Sequence, residues 1–257
     1  HANKMKINVS KTKVLRNSSH RRVINPPQLH LNNELIERVE HFNYLGITID
    51  QNLTWKIHTQ SLSRKIAKVV RVLCRLKNFL PSYVLKTIYS SLLACHLNYG
   101  ILLWGGKIDP IFKLQKKAVR VITNSPPFSH TDPIFIDLNL LKVQDIYLLN
   151  QFKFAYKLFN SKLPPYFLDN FVSLNADSHL YNTRGRLTLS TPRFWHEYYR
   201  QLLRYRLINT INTAPVCISE KFQTHSINGF SNYVFRYIIS NYSRLCDVQN
   251  CFICNRR

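Results

Sequence analysis

Apolar positions along the chain follow different periods in different stretches, and each period predicts a different kind of element. Residues 1–50 interleave short apolar runs with turn residues, which predicts strands and turns. Ile7, Val9 and Val14-Leu15 flank a polar corner at Lys11-Thr12-Lys13, and Asn25-Pro26-Pro27 marks a turn. Leu35-Ile36 and Val39 then lead into Phe42–Asp50, rich in β-branched and aromatic residues. Gly46 within that strand predicts a bulge or the close approach of another backbone. From residue 55 to 124 the period becomes helical. Leu62, Ile66, Val69, Leu73 and Leu76 repeat at 4, 3, 4 and 3, a single apolar stripe. Pro81 opens a second helix with Leu85, Ile88, Leu92 and Cys95 on its apolar side. A third begins with Asp109 as cap and Pro110 in the first turn, carries Ile111, Leu114, Ala118, Val119 and Ile122, and stops at Asn124-Ser125-Pro126-Pro127. A fourth runs from about Val143 to Phe159, apolar on most of its surface, and ends before Leu163-Pro164-Pro165. Residues 166–195 predict loops and short strands, whereas 195–209 and 230–243 predict helices.

Composition narrows the class. Hydrophobic residues make up 45% of 257, enough for a packed core and too many for a disordered chain. Lysine and arginine number 36 against 13 acidic residues, a net charge of +23. A chain this basic usually meets a polyanion, because each neutralised phosphate releases condensed counterions; an anionic membrane surface is the weaker alternative. So few carboxylates also argue against a carboxylate-rich metal site. The uncharged run between Lys86 and Lys107 is about as long as a bilayer span of ~20 residues. It carries Ser90, Ser91, His96 and Asn98 and ends at Gly105-Gly106, so the expectation is a buried helix plus a turn and no membrane partner. Cys74, Cys95 and Cys217 stand alone among apolar residues, which reads as buried thiols in a reducing compartment. Cys246, Cys251 and Cys254 are weak zinc candidates: the last two have knuckle spacing, but no His or Cys follows, and exposed terminal thiols are the plainer reading. His1 in place of Met, with no leader behind it, reads as a piece of a longer protein. No Gly-rich phosphate loop, G-x-S-x-G or H-E-x-x-H is present, so a hydrolase is unsupported.

The most informative feature is a missing charge. Between Asp50 and Asp109 there is no acidic residue, while Lys56, Arg64, Lys65, Lys68, Arg71, Arg75, Lys77, Lys86 and Lys107 are all basic. Arg64, Lys68, Arg71 and Arg75 repeat at 4, 3 and 4, opposite the leucine stripe. Like charges four apart on a helix repel, and phosphates would relieve that repulsion. The plainer alternative is a solvated basic face.

Several short motifs stand in order along the chain. They begin with Asn8-Val9-Ser10-Lys11-Thr12, then Phe42–Asp50 and Leu53-Thr54-Trp55. Lys77–Pro81, Leu85–Leu92, Leu97–Gly100, Trp104-Gly105 and Lys113–Ile122 follow, with Tyr181-Asn182-Thr183-Arg184 after them. In this order they resemble the C-terminal part of reverse transcriptases of non-LTR retrotransposons (LINE-type, jockey-like elements). The resemblance implies an α+β chain. Residues 1–54 would end a polymerase palm, a small β-rich remnant with a primer-grip hairpin at Tyr44-Leu45-Gly46. Residues 55–165 would form a mainly helical thumb and 166–257 a mixed, basic C-terminal extension. It implies a primer/template-gripping part of an RNA-directed DNA polymerase, with RNA, DNA and RNA–DNA hybrid as partners. Nucleic acid would meet Tyr44, Leu45, Gly46, Lys56, Arg64, Lys65, Lys68, Arg71, Arg75 and Lys77. Packing alone also accounts for the three hairpin residues. The family's catalytic aspartates belong upstream of Asn8, and no Asp-Asp pair occurs anywhere in the chain. Hence no cofactor and no small-molecule substrate are expected for this chain alone, although the complete polymerase would use Mg²⁺. In the family the lysine at the place of Lys11 is thought to act as general acid; without the rest of the palm, a solvated turn lysine is the reading favoured here. The expected location is intracellular. The alternative is a basic nucleic-acid-binding module, or a degenerate transposon relic, with no polymerase role.

Overall fold

A computed structural model describes residues 7–16, 28–171, 173–174, 188–192, 199–200 and 202–242. The fold is α+β, dominated by helices, and among the described residues the named strands are short and lie in small two-stranded sheets. It divides into two compact units, His1–Arg64 and Lys65–Arg257.

Among the described residues the first unit contains a 3₁₀ turn, Val9–Lys11, then β1 (Lys13–Val14), β2 (His30–Leu31), β3 (Glu34–Leu35), β4 (Glu37–Arg38), β5 (His41–Tyr44) and β6 (Ile47–Asp50). β1 pairs in parallel with β4, β2 with β3 and β5 with β6 antiparallel. The two antiparallel pairs are hairpins closed by two residues each, Asn32-Asn33 and Leu45-Gly46. All four have positive φ (52°, 64°, 49° and 80°). That is the signature of the turn whose twist matches two antiparallel strands, and Asn and Gly enter this region most easily. Gly46 is therefore a hairpin tip and not a bulge, because Tyr44 pairs directly with Ile47 across it. β6 hands over to α1 (Lys56–Leu76) through Asp50, whose carboxylate gathers the loop. Its Oδ1 accepts from the amides of Asn52 and Thr54 and from the Thr54 hydroxyl, and its Oδ2 accepts from the Trp55 amide at 2.9 Å. These bonds hold Leu53 and Trp55 at positive φ, which neither side chain prefers.

The second unit takes in the rest of α1 and then α2 (Ser82–Ile88), a π-helical turn (Tyr89–Ala94), α3 (Cys95–Asn98), α4 (Ile101–Trp104), α5 (Asp109–Ile122), α6 (Asp132–Asp137), α7 (Val143–Phe159), α8 (Pro165–Phe171), α9 (Leu203–Asn212), α10 (Val216–Ser219), α11 (Lys221–Thr224) and α12 (Ile227–Ser240). α7 is the axis: α3, α4, α5, α8, α9 and α12 all pack on it. A helix surrounded in this way must be apolar nearly all round, and α7 buries Val143, Ile146, Tyr147, Leu149, Phe152, Ala155, Tyr156 and Leu158. Tyr156 stacks on Phe230 of α12 at 5.2 Å, and Phe154 meets Phe167 and Phe171 of α8. At the other end Gly105-Gly106 make room for incoming side chains. A Cβ on Gly105 would lie 2.4 Å from the Tyr147 ring, and one on Gly106 would lie 2.9 Å from the Arg206 guanidinium.

Several expected details change. On α1 the buried line is Leu62, Ile66, Val70 and Leu73; Val69 and Leu76 are only half-buried. In the second helix the buried residues are Leu85, Tyr89, Leu93 and Leu97, whereas Leu92 and Cys95 are exposed and Ile88 is half-buried. Residues four apart drift by ~40° per step on an α-helix, ~120° over these three steps. The wider π turn takes up that drift and keeps the four side chains on one face. The third helix starts with Ile108 in the cap position, so Asp109 sits in the first turn, where its charge suits the helix dipole. Residues 166–171, expected as loop, belong to α8 because Phe167 and Phe171 have the Phe154 ring to pack on. The isolated cysteines are not buried: Cys95 is exposed, and Cys74 and Cys217 are intermediate. Each stands beside, rather than on, the buried line of its helix. Among the described residues no helix is long and apolar enough to cross a membrane, and Gly100 (φ 61°) breaks the uncharged run into α3 and α4.

Candidate nucleic-acid interface

α1 presents the expected charge. Arg64, Lys65, Lys68, Arg71 and Arg75 are all exposed, as are Lys56 at its start and Lys77 just beyond its end. At 3.6 residues per turn, Arg64, Lys68, Arg71 and Arg75 fall within an arc of ~60° along ~16 Å of helix. The buried line lies on the opposite side, so packing alone would fix the direction in which the cations point. The ion pairs Lys13–Glu37 and Lys142–Asp132 involve none of these cations. Arg71 Nε donates to the Ala67 carbonyl at 3.4 Å, and Lys77 Nζ donates to Asn124 Oδ1 at 3.3 Å. These are neutral partners, and the positive charge of the face stays uncompensated.

The other expected contacts lie in the first unit. Tyr44 and Leu45 at the tip of the β5–β6 hairpin are 59% and 72% exposed. Both are therefore surface residues of the hairpin and not part of the packed core. Lys11 is exposed at the end of the 3₁₀ turn. The neighbouring motif residues have local work: Asn8 Oδ1 accepts from the Ser10 hydroxyl and the Lys11 amide, and the Thr12 hydroxyl donates to the Asn8 carbonyl at 2.8 Å. The Asn and Thr of that motif thus build a turn that presents the lysine.

Two of the carboxylates, Asp50 and Asp132, are held by local bonds. Asp50 is buried under its four donors, and Asp132 Oδ2 accepts from Lys142 Nζ at 2.7 Å. Among the described residues no three His, Cys, Asp or Glu side chains come together as a metal site would require. A pair of cations for phosphoryl transfer needs carboxylates shared between them, and Asp50, Asp109, Asp132 and Asp137 do not fit that demand. Cys246, Cys251, Cys254 and the Tyr181–Arg184 motif lie outside the described residues.

Two polar arrangements in the second unit escaped the sequence reading. Gln115 is fully buried on α5. Its Nε2 donates to Tyr89 Oη and to the Leu141 carbonyl, both at 2.9 Å, and its Oε1 accepts from the Val143 amide at 2.8 Å. One side chain thereby joins the π turn, α5 and the free amide at the start of α7. Burial pushes the Tyr89 phenol up to about 12. The available signal was a glutamine on the apolar line Ile111–Ala118–Ile122, where an uncompensated amide would be costly. The second arrangement centres on Tyr242, just past α12. Its hydroxyl accepts from the Lys142 amide and donates to the Asp145 carboxylate, and its ring lies 4.2 Å from Lys142 Nζ. Burial raises the Asp145 carboxyl above its ordinary value, offset in part by the Tyr242 hydrogen bond and the Lys142 charge. This cluster forms one wall of an open cleft of about 740 Å³ that also meets Phe112, Lys116 and Arg120 of α5, Phe128, and Tyr237 of α12.

Three curated relatives place the chain. It is 33% identical over 126 residues to the RNA-directed DNA polymerase from mobile element jockey of Drosophila melanogaster. The jockey polymerase of Drosophila funebris is 30% identical over 128 residues, and a probable RNA-directed DNA polymerase from transposon BS of Drosophila melanogaster is 27% identical over 124. Each match covers 46% of this chain and 14% of the relative, so the chain spans only a small part of the length of the curated relatives it matches. No family model and no solved structure matches. Over almost half its length the chain is similar to part of the polymerases of non-LTR retrotransposons, in line with the motif order.

Proposed function

We propose that this chain is a primer/template-gripping part of a retrotransposon RNA-directed DNA polymerase. In this reading residues 1–54 end the palm, 55–165 form the thumb and 166–257 the C-terminal extension. The observation that carries it is the exposed, carboxylate-free row Arg64, Lys68, Arg71 and Arg75 on α1. A row of cations without counter-charges is set to follow a phosphate backbone and to ignore base sequence. RNA–DNA hybrid, gripped by shape and backbone, is then bound at least as well as DNA duplex. Tyr44-Leu45-Gly46 offers a small tip that can press on a primer end. Mg²⁺ belongs to the complete polymerase, which acts inside the cell.

The commitment of Asp50 and Asp132 to local bonds favours a second reading, a basic binding module or transposon relic without polymerase role. Both readings predict that this chain alone extends no primer on an RNA template. They separate when it is added to a polymerase palm: restored extension supports the first, and its failure the second.

Salt dependence tests the grip itself. About five phosphate contacts imply a log–log salt slope of roughly −4 on duplex. Replacing Arg64, Lys68 and Arg71 by Glu should weaken every nucleic acid alike and flatten that slope by about three. Circular dichroism checks that the helix survives. A folded triple variant with an unchanged slope would leave α1 a merely solvated surface.

A further inference from the structure

The cleft beside α5 and α12 holds chemistry that the α1 face does not use. Its carboxylates are engaged, Asp132 with Lys142 Nζ and Asp145 with the Tyr242 hydroxyl. Two of its cations have no carboxylate: Lys116 Nζ lies 4.7 Å above the Phe112 ring, and Arg120 donates from Nε and Nη2 to the neutral Ser129 carbonyl at 2.9 and 2.8 Å. Phe128, on the loop that Arg120 ties down, is 76% exposed at the cleft. The cleft thus offers a bare aromatic face and, at Lys116 and Arg120, positive charge without a carboxylate partner. A nucleotide supplies a flat ring and a phosphate together.

We infer that this cleft takes a nucleotide of an unpaired strand, its base stacked on Phe128 and its phosphate at Lys116 and Arg120. The inference rests on the proposed nucleic-acid role but assigns a second place for it. A duplex cannot satisfy the cleft, because its bases are stacked inside, whereas a single strand turns its bases outward onto aromatic side chains.

Fluorescence anisotropy of the full chain tests this with a labelled oligothymidylate and a labelled blunt RNA–DNA hybrid. Phe128→Ala and Lys116→Gln should each weaken the single strand about tenfold and leave the blunt hybrid unchanged. Phe128 is exposed, so its truncation removes no core contact. Equal weakening of both probes, or of neither, overturns the assignment. Free thymidine monophosphate displacing the strand at equal phosphate concentration would also overturn it, by giving the cleft to a free nucleotide. The R64E/K68E/R71E variant keeps the two readings apart. If it binds the hybrid as well as the parent chain while F128A loses the single strand, the α1 grip fails and the cleft stands. If F128A binds the strand normally while the triple variant loses all nucleic acid, only the cleft fails.

Discussion

In the unit His1–Arg64 order comes mostly from neighbours along the chain, whereas in Lys65–Arg257 it comes from side chains far apart in sequence. Among the described residues of the first unit the buried apolar side chains are Ile47 and Leu62. The rest is turn chemistry: two hairpins closed by positive-φ residues, an Asn8-centred turn, and the Asp50 carboxylate collecting the loop before α1. The second unit wraps six helices around α7 and buries Trp104, Tyr89, Phe135 and Phe230 almost completely. Each such side chain is worth ~1.5–3 kcal/mol on burial, far more than a hairpin turn contributes. The contrast teaches that the two units should fail differently. Local bonds lost in the first unit loosen a loop; a misplaced atom in the second loosens the whole packed assembly.

The hardest blow to that contrast should come at Gly105. A methyl group there would meet the Tyr147 ring at 2.4 Å and the Ile101 carbonyl at 2.5 Å, so Gly105→Ala must push α4 and α7 apart. We expect a loss of about 3 kcal/mol, read from the urea midpoint. A variant as stable as the parent would mean that α4 and α7 do not pack as described. Next is Gln115→Leu, which fills the same space but strips the Val143 amide and the Leu141 carbonyl of their partner. About 2 kcal/mol should be lost, together with exchange protection of the Val143 amide. Full stability after this change would show that shape alone, and no hydrogen bond, holds α5 to α7. The smallest effect should follow Asp50→Ala. Its acceptors serve only the loop at 52–55, so the cost is about 1–2 kcal/mol, confined to faster exchange of the Thr54 and Trp55 amides. A shift of the cooperative transition of the second unit as well would dissolve the distinction between local and long-range order.

Whatever lies within a single element was legible from the residues alone. The bounds of α5 and α7 were readable because proline, cap-forming and apolar positions recur within one or two helical turns. So was the basic face of α1, since charges opposite a leucine stripe have only one way to point. Motif order was readable too, and it led to the same mobile-element polymerases that the curated relatives represent. Which side of a helix is inside was decided only in three dimensions where the helix is not regular. The π turn moved burial from Leu92 and Cys95 to Tyr89, Leu93 and Leu97, and no local count distinguishes the two phases. The role of Gln115 and the cleft between α5 and α12 were decided there as well. They join residues 26, 28 and nearly a hundred positions apart, and only packing around α7 brings those residues together.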